Sequence, residues 1–190
     1  MWDGAMLEGH ALLFEGRVLA CLPVERTDGI EAERVEAGGR YVLPGFVNVH
    51  VHGAMGYDAM DATDEALDAL SLAMAKEGVT AFLPTSVTAP MGEIDAAVRA
   101  VRRGMARPLP GAAILGMHLE GPWIDEAMRG AHPAAFISRS PDVSWVVERA
   151  DVLRIVTFSP IIVVSSERFS MLTATRWWNL IFWKAVSLER

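Results

Sequence analysis

Residues 43–53 read LPGFVNVHVHG, an apolar segment that ends with two histidines, His50 and His52, two positions apart. Pro44 and Gly45 disfavour a helix here, and the phenylalanine and valines that follow favour a β-strand buried on both faces, as in a parallel sheet. On a strand, residues i and i+2 point to the same face, so both imidazoles can approach one ion. The alternative is a pair of histidines at a strand end without a metal, which is common for the bare tripeptide. The carboxyl end of a buried strand favours the metal interpretation, because metal sites gather at that end of an α/β barrel.

A second segment, 114–122, repeats this pattern, since ILGMHLEGP places His118 and Glu120 on one face at the end of another apolar strand. Alternate strands of a barrel project side chains into the same layer, so we expect His50, His52 and Glu120 to meet around one ion or an adjacent pair. A carboxylate at a buried strand end is costly unless it is paired or coordinating, which favours a ligand role for Glu120. Packing explains His118 as well as ligation does. Nitrogen and oxygen ligands together predict a divalent metal, with zinc or iron preferred over manganese and cobalt.

Strands and helices alternate along the whole of 43–160. Apolar periodicity predicts helices over 64–78, 91–105 and 143–150, and strands over 79–87, 112–119 and 153–158. This alternation predicts an α/β fold of βαβ units with a parallel sheet, namely part of a (β/α)8 TIM-type barrel with about four βα units. A complete barrel typically needs about 250 residues. The chain has 190, so we expect 43–160 to be the N-terminal half of such a barrel.

Two flanking segments differ from this barrel region. In 1–42, short apolar runs separated by glycines predict a small β-rich module of hairpins. In 161–190, crowded tryptophans beside aliphatic residues form an atypical tail. This tail is interpreted either as an amphipathic helix that docks on the core or a membrane surface or, preferably, as a frameshifted or fused C-terminus that covers apolar surface.

Composition excludes several classes of partner. The net charge is −7 and no run of basic residues occurs, so we expect no nucleic-acid binding. The single cysteine, Cys21, cannot form an internal disulfide and fits a reducing compartment. The N-terminus lacks the pattern of a secretory signal, and no apolar stretch reaches about 18 residues. These features predict a soluble cytoplasmic protein without a membrane span.

A long loop follows the second histidine-containing strand and carries Arg129 and His132. Loops of this length at the catalytic end of a barrel usually have a function. Arg129 is a candidate for binding an anionic group such as a phosphate, although an ordinary surface charge is the simpler interpretation. His132 is a candidate for a hydrogen bond to the substrate.

Together these motifs resemble the N-acetylglucosamine-6-phosphate deacetylase family of the amidohydrolase superfamily. The matching stretches are LPGFVNVHVHG at 43–53, GYD at 56–58 with Met60 and Asp61, GVTAFLPTSVTAP at 78–90, LGMHLEGPW at 115–123 and RGAHP at 129–133. The histidine pair alone is shared by many amidohydrolases, whereas HLEGP followed by GAHP is far more specific. The resemblance covers about residues 10–160.

The resemblance implies removal of the acetyl group from N-acetylglucosamine 6-phosphate by metal-activated water, giving glucosamine 6-phosphate and acetate. It implies that Glu120 is the main metal ligand and that His50 and His52 serve a second metal position in those members that keep one. It also implies substrate contacts at His132, Ala131 and Gly121, with an amino-sugar phosphate as the small-molecule partner. Homodimers are expected in this family.

The family pattern also includes later histidine ligands and an aspartate that transfers protons, and this chain does not supply them. No histidine follows His132, and 161–164 read IIVV where the family usually continues with an acidic residue. We therefore expect a truncated deacetylase with low or no activity and leave its catalytic residue unassigned. The alternatives are a non-catalytic remnant and an amidohydrolase that acts on another N-acyl substrate.

Overall fold

The computed structural model describes residues 6–159. The chain divides into two compact units, Met1–Leu43 and Pro44–Arg190. The tryptophan-rich tail expected over 161–190 lies outside the described residues.

The first unit contains an antiparallel hairpin of β1 (His10–Phe14) and β2 (Val18–Pro23). Gly16 lies in the turn at a φ of 63°, a left-handed conformation that glycine adopts without steric cost. Between Pro23 and residue 43 the chain forms a short 3₁₀ turn and irregular structure but no strand. Of the several hairpins expected from the sequence the structure contains one, and after it the chain passes through three glycines at positive φ without forming another pair of strands. These glycines are Gly29, Gly38 and Gly39.

The second unit alternates strands and helices, as the apolar periodicity predicts. Its strands are β3 (Phe46–Val51), β4 (Gly53–Ala54), β5 (Tyr57–Asp58), β6 (Val79–Pro84), β7 (Ala113–Ile114), β8 (Met117–Glu120) and β9 (Leu153–Thr157). Its helices are α1 (Asp64–Lys76), α2 (Met91–Met105) and α3 (Val143–Val147). Parallel pairing joins β3 to β6, β6 to β7 and β8 to β9, whereas the short β4 and β5 are antiparallel. The unit is therefore an α/β fold with parallel strands joined through helices.

The strand predicted over 112–119 is divided in the structure. Its first part is β7, which pairs with β6, and its second part is β8, which pairs with β9. Gly116 lies between them at a φ of 150°, and a Cβ atom there would lie 2.5 Å from the carbonyl oxygen of Val152. An isolated parallel bridge between Thr85 and His118 keeps the ends of β6 and β8 adjacent. This bridge brings the residues that follow β6 next to Glu120.

Local signals set the ends of α1, and packing buries the inner faces of α1 and α2. The Oγ1 of Thr63 accepts a hydrogen bond from the backbone N–H of Ala66 at 3.1 Å, which caps α1, and Gly78 follows the helix at a φ of 76°. Fully buried side chains from α1, α2 and β6 form the centre of the core: Leu67, Leu70, Ile94, Val98 and Phe82. Burial of each such side chain stabilises the fold by about 1.5–3 kcal/mol before entropy is subtracted. This core fixes β6, whose end carries several residues of the candidate site.

The expectation that β3 is buried on both faces is wrong. Phe46 is 68% exposed, Val47 56% and Val49 45%. β3 also lies at the edge of its three-stranded sheet, with β6 on one side only among the described residues. Side-chain burial on the faces of a strand comes from the elements packed on it, and here α1 packs on β6 and α2 packs on α1 and β7. Within residues 6–159, no helix combines the length and apolar character needed to cross a membrane.

Candidate metal centre

Two strands deliver the predicted ligands to one place. His50 lies in β3 and His52 directly follows it, so the strand alternation puts both rings on the same face. Glu120 is the last residue of β8. One ligand atom from each of His50, His52 and Glu120 can be chosen so that all lie within 4.8 Å of one another. The structure thus brings together the three residues that the sequence predicted to converge.

Residues that follow β6 hold the other two strand ends in position. The backbone N–H of Thr85 donates to the carbonyl oxygen of Val51 at 2.8 Å, and the N–H of Val51 donates to the Thr85 Oγ1 at 3.0 Å. Ser86 makes the equivalent connection to β8, because its Oγ accepts from the backbone N–H of Glu120 at 3.0 Å. Both Thr85 and Ser86 are fully buried. These side chains therefore fix the distance between the histidine pair and Glu120.

His52 and Glu120 form the closest contact in the cluster. The His52 Nε2 lies 3.1 Å from the Glu120 Oε2, and the His52 Nδ1 lies 3.2 Å from the carbonyl oxygen of Thr85. A carbonyl oxygen only accepts, so Nδ1 carries a proton, and a hydrogen bond to the carboxylate places a second proton on Nε2. This geometry favours the imidazolium form of His52 in the absence of a metal.

The electrostatics of this pair agree with that protonation state. The hydrogen bond to Glu120 raises the pKa of His52 above its ordinary value of 6.5, against the opposing effect of burial. The same hydrogen bond holds the pKa of Glu120 below its ordinary value of 4.5. The side chains of His52 and Glu120 are 37% and 18% exposed, so solvent screens the pair on the histidine side.

His118 is buried beside the cluster rather than within it. Its Nδ1 donates to the carbonyl oxygen of Val49 at 3.0 Å, so its Nε2 accepts from the hydroxyl of Thr157 at 2.7 Å. The His50 Nδ1 lies 3.3 Å from the same His118 Nδ1. Burial lowers the pKa of His118 below 6.5. Because both ring nitrogens have protein partners, the structure favours packing and strand bridging over ligation for His118.

The predicted substrate loop approaches the same carboxylate. The His132 Nε2 lies 3.8 Å from the Glu120 Oε2, and burial lowers the pKa of His132 below 6.5. Arg129 donates from Nη1 to the carbonyl oxygen of His132 at 2.7 Å, so it contacts the loop itself. Ala131 is exposed beside His132. Gly121 is buried at the start of the loop with a φ of 72°.

The donor set fits a divalent metal. Two imidazole nitrogens and a carboxylate oxygen are ligands that zinc and iron accept in proteins. The hydrogen bond from the His52 Nδ1 to Thr85 orients the ring and leaves Nε2 as the ligand atom, an arrangement typical of metal-binding histidines. The Nε2 proton that now faces Glu120 must leave before this nitrogen can bind a metal, so metal binding and proton release are coupled.

Sequence reasoning assigned no role to three polar residues that hold the site together. Thr85, Ser86 and Thr88 are each at most 1% exposed. A signal was present, because the segment LPTSVT places hydroxyl residues directly after an apolar strand. Buried hydroxyl groups need hydrogen-bond partners, and at this strand end those partners are the neighbouring strand ends and the substrate loop.

Comparisons with known proteins point to one family. The sequence pattern of the Amidohydrolase family matches residues 41–166. The chain is 43% identical over 111 residues to an N-acetylglucosamine-6-phosphate deacetylase of Vibrio furnissii, covering 58% of this chain and 28% of that protein. It is 37% identical over 127 residues to an N-acetylgalactosamine-6-phosphate deacetylase of Escherichia coli O157:H7, covering 67% of this chain and 32% of that protein.

A solved structure gives the same result. The chain resembles the crystal structure of N-acetylglucosamine-6-phosphate deacetylase from Pasteurella multocida with a TM-score of 0.72 and 28% identity, covering 80% of this chain and 41% of that one. The chain spans about a third of the length of the curated relatives it matches. Since the family pattern extends over more than half of the 190 residues, the chain belongs to the amidohydrolase family.

Proposed function

We propose that the chain carries the first strands of a (β/α)8 barrel and the metal ligands of a deacetylase that acts on N-acetylated amino-sugar phosphates. The reaction proposed is hydrolysis of N-acetylglucosamine 6-phosphate to glucosamine 6-phosphate and acetate. The observation that carries this proposal is the convergence of His50 and His52 at the end of β3 with Glu120 at the end of β8, with ligand atoms within 4.8 Å. The relatives named as deacetylases of this substrate support the choice of reaction.

The site residues divide into ligands and substrate contacts. Glu120, His50 and His52 would hold the ion, with zinc or iron proposed from the mixed nitrogen and oxygen donors. When bound, a divalent metal supplies two things: Lewis acidity toward the amide carbonyl, and a water molecule that loses its proton near neutral pH. The Thr85 carbonyl oxygen orients His52.

Substrate contacts are proposed for the loop that approaches the ligands. His132 lies against Glu120 and is proposed to donate a hydrogen bond to the substrate. Gly121 and Ala131 are proposed to line the sugar, and Arg129 to hold the loop and meet the phosphate. Proximity of these groups to the ligands would orient the acetamide toward the ion.

A related substrate is the first alternative. One relative is named for N-acetylgalactosamine 6-phosphate, which differs from the glucosamine substrate in the configuration of one hydroxyl group. Both sugar phosphates therefore belong in the activity assay, with release of acetate as the readout.

Metal binding without turnover is the second candidate. An amide hydrolase needs a group that takes a proton from water and gives it to the leaving amine. Among the described residues no aspartate joins the cluster of His50, His52 and Glu120, and no histidine follows His132 in the sequence. We expect slow or absent acetate release from this chain alone. Rapid release by wild type that Glu120→Gln abolishes would overturn this expectation and support full catalysis.

Metal binding tests the proposal directly. The full chain is stripped with a chelator and titrated with Zn²⁺ or Co²⁺ at neutral pH, with one ion bound per chain as the expected result. His52→Gln removes a ligand and is expected to weaken binding by at least about tenfold. His10→Gln is the matched control, because His10 lies in β1 of the other unit. Equal affinity of the two variants would contradict the proposed centre.

A further inference from the structure

Thr88 contacts the substrate loop at two separate points. Its Oγ1 lies 2.9 Å from the Nδ1 of His132, and its backbone N–H donates to the same nitrogen at 3.3 Å. Thr88 also packs against Gly121, where a Cβ atom would collide with the threonine Oγ1 and lie 3.1 Å from its Cα. The buried Thr88 thus contacts the loop at both of its ends, at Gly121 and at His132.

These contacts determine which nitrogen of His132 carries the proton. A backbone N–H can only donate, so the Nδ1 that receives it has a free lone pair and no proton. The threonine hydroxyl then donates to that lone pair as well. In neutral imidazole the remaining proton lies on Nε2. This Nε2 is the atom that faces Glu120 at 3.8 Å, a separation longer than a hydrogen bond.

We infer that Thr88 is a positioning residue that fixes His132 in the tautomer with its proton on Nε2 and directs this N–H toward the ligand site. The role of His132 rests on the proposed function. This histidine donates a hydrogen bond to an acceptor oxygen of the sugar-phosphate substrate beside Glu120. A neutral imidazole whose Nδ1 lone pair is occupied and whose Nε2 is protonated cannot accept a proton from water. His132 is therefore a donor and not the base of the reaction.

Nuclear magnetic resonance of the full, metal-free chain with ¹⁵N-labelled histidine tests the tautomer. The five histidines of the chain give few signals, and His132→Gln identifies the one that belongs to His132. We expect proton couplings characteristic of Nε2–H in wild type and in Thr88→Ser, which keeps the hydroxyl. Thr88→Val keeps the shape and the backbone N–H, so the Nε2–H tautomer should remain, but it loses the shorter hydrogen bond, and we expect the ¹⁵N resonance of the His132 Nδ1 to move downfield, toward that of an imidazole nitrogen without this bond.

Two spectroscopic outcomes would overturn the inference. One is an Nδ1–H tautomer or an even mixture in wild type. The other is an unchanged Nδ1 resonance in Thr88→Val, which would mean that the hydroxyl does not hold the ring. Neither readout depends on turnover, so they separate this inference from the proposed deacetylase activity.

Binding of glucosamine 6-phosphate to the zinc-loaded chain tests the role of the donor. We expect Thr88→Val to bind it roughly five- to tenfold more weakly than wild type, and Thr88→Ser to restore the affinity, since one neutral hydrogen bond is at stake. Equal affinity of wild type and Thr88→Val would overturn the donor role. Absence of binding by wild type, with the tautomer as expected, would refute the proposed function and leave the positioning by Thr88 intact.

Discussion

Glu120 lies among the histidines at the ends of β3 and β8 and in the loop that follows β8. It raises the pKa of His52 through a direct hydrogen bond. Burial acts in the opposite direction on His118 and His132 and lowers the pKa of each. The pKa values of histidines within a few ångströms of one another thus shift in opposite directions, because the hydrogen bond to Glu120 dominates for His52 and burial dominates for His118 and His132.

Replacing Glu120 by glutamine in the metal-free protein should therefore produce a pH-dependent loss of stability. A raised folded-state pKa of His52 contributes stability that is fully present below 6.5 and is lost as pH rises through the raised value. The lowered pKa of Glu120 contributes stability that is present above 4.5 and is lost as pH falls through the lowered value. We expect the difference in unfolding free energy between wild type and Glu120→Gln to be largest between pH 4.5 and 6.5 and to narrow above that range.

Urea unfolding across pH measures this difference, and a second variant isolates its source. In a His52→Gln background, the loss of unfolding free energy caused by Glu120→Gln should depend much less on pH, because the histidine that contributes the raised pKa is absent. A difference that stays constant as pH rises above 6.5 would contradict the assignment of an imidazolium to His52.

At the scale of elements, α1 shows how one helix is divided between core and solvent. Leu70 is fully buried in the core, and Leu72, two positions later, is 44% exposed. Residues two apart on a helix lie on different faces, so identical leucines in one helix have different energetic roles.

Alanine substitutions at these positions make a matched pair. Leu70→Ala should lower the free energy of unfolding by about 2–5 kcal/mol, because it leaves a cavity among close-packed side chains. Leu72→Ala should change it by no more than about 0.5 kcal/mol, since the same atoms are removed at a largely solvated position. Urea denaturation of both variants provides the comparison, and equal losses would show that α1 does not pack on β6 as described.

At the scale of the whole molecule, the exposed edge strand β3 is the surface through which we expect copies of the chain to associate. Its apolar side chains Phe46, Val47 and Val49 are accessible, and among residues 6–159 it pairs on one side only, with β6. Such an edge offers unpaired backbone groups and apolar surface to another chain. We expect the purified chain to self-associate with increasing concentration.

Lysine at position 47 should reduce this association, because a charge on an edge strand opposes pairing with a second chain. The control is Val35→Lys, the same change at a valine that is 82% exposed in the first unit. Light scattering across a concentration series compares the variants. Equal association of Val47→Lys and wild type would show that β3 is not the surface through which copies meet.

Much of the second unit could be predicted from the sequence alone. The ends of α1 follow from a capping threonine and a glycine that ends the helix, signals that act within a few residues. The common face of His50 and His52 follows from the two-residue period of a strand. The convergence of these histidines with Glu120 was predictable once both segments were recognised as parallel strands, because the carboxyl ends of the parallel strands of a barrel lie at one face.

The tertiary structure alone decided the rest, because exposure and hydrogen-bond partners depend on residues far apart in the chain. A strand as apolar as β3 has exposed side chains because the buried core forms around α1, α2 and β6. The segment 112–119 breaks at Gly116 because its two parts pair with different strands. The proton positions on His52 and His132 are set by Thr85 and Thr88, which lie more than 30 residues away in sequence. Local pattern determined which side chains share a face, and long-range packing determined what each of them contacts.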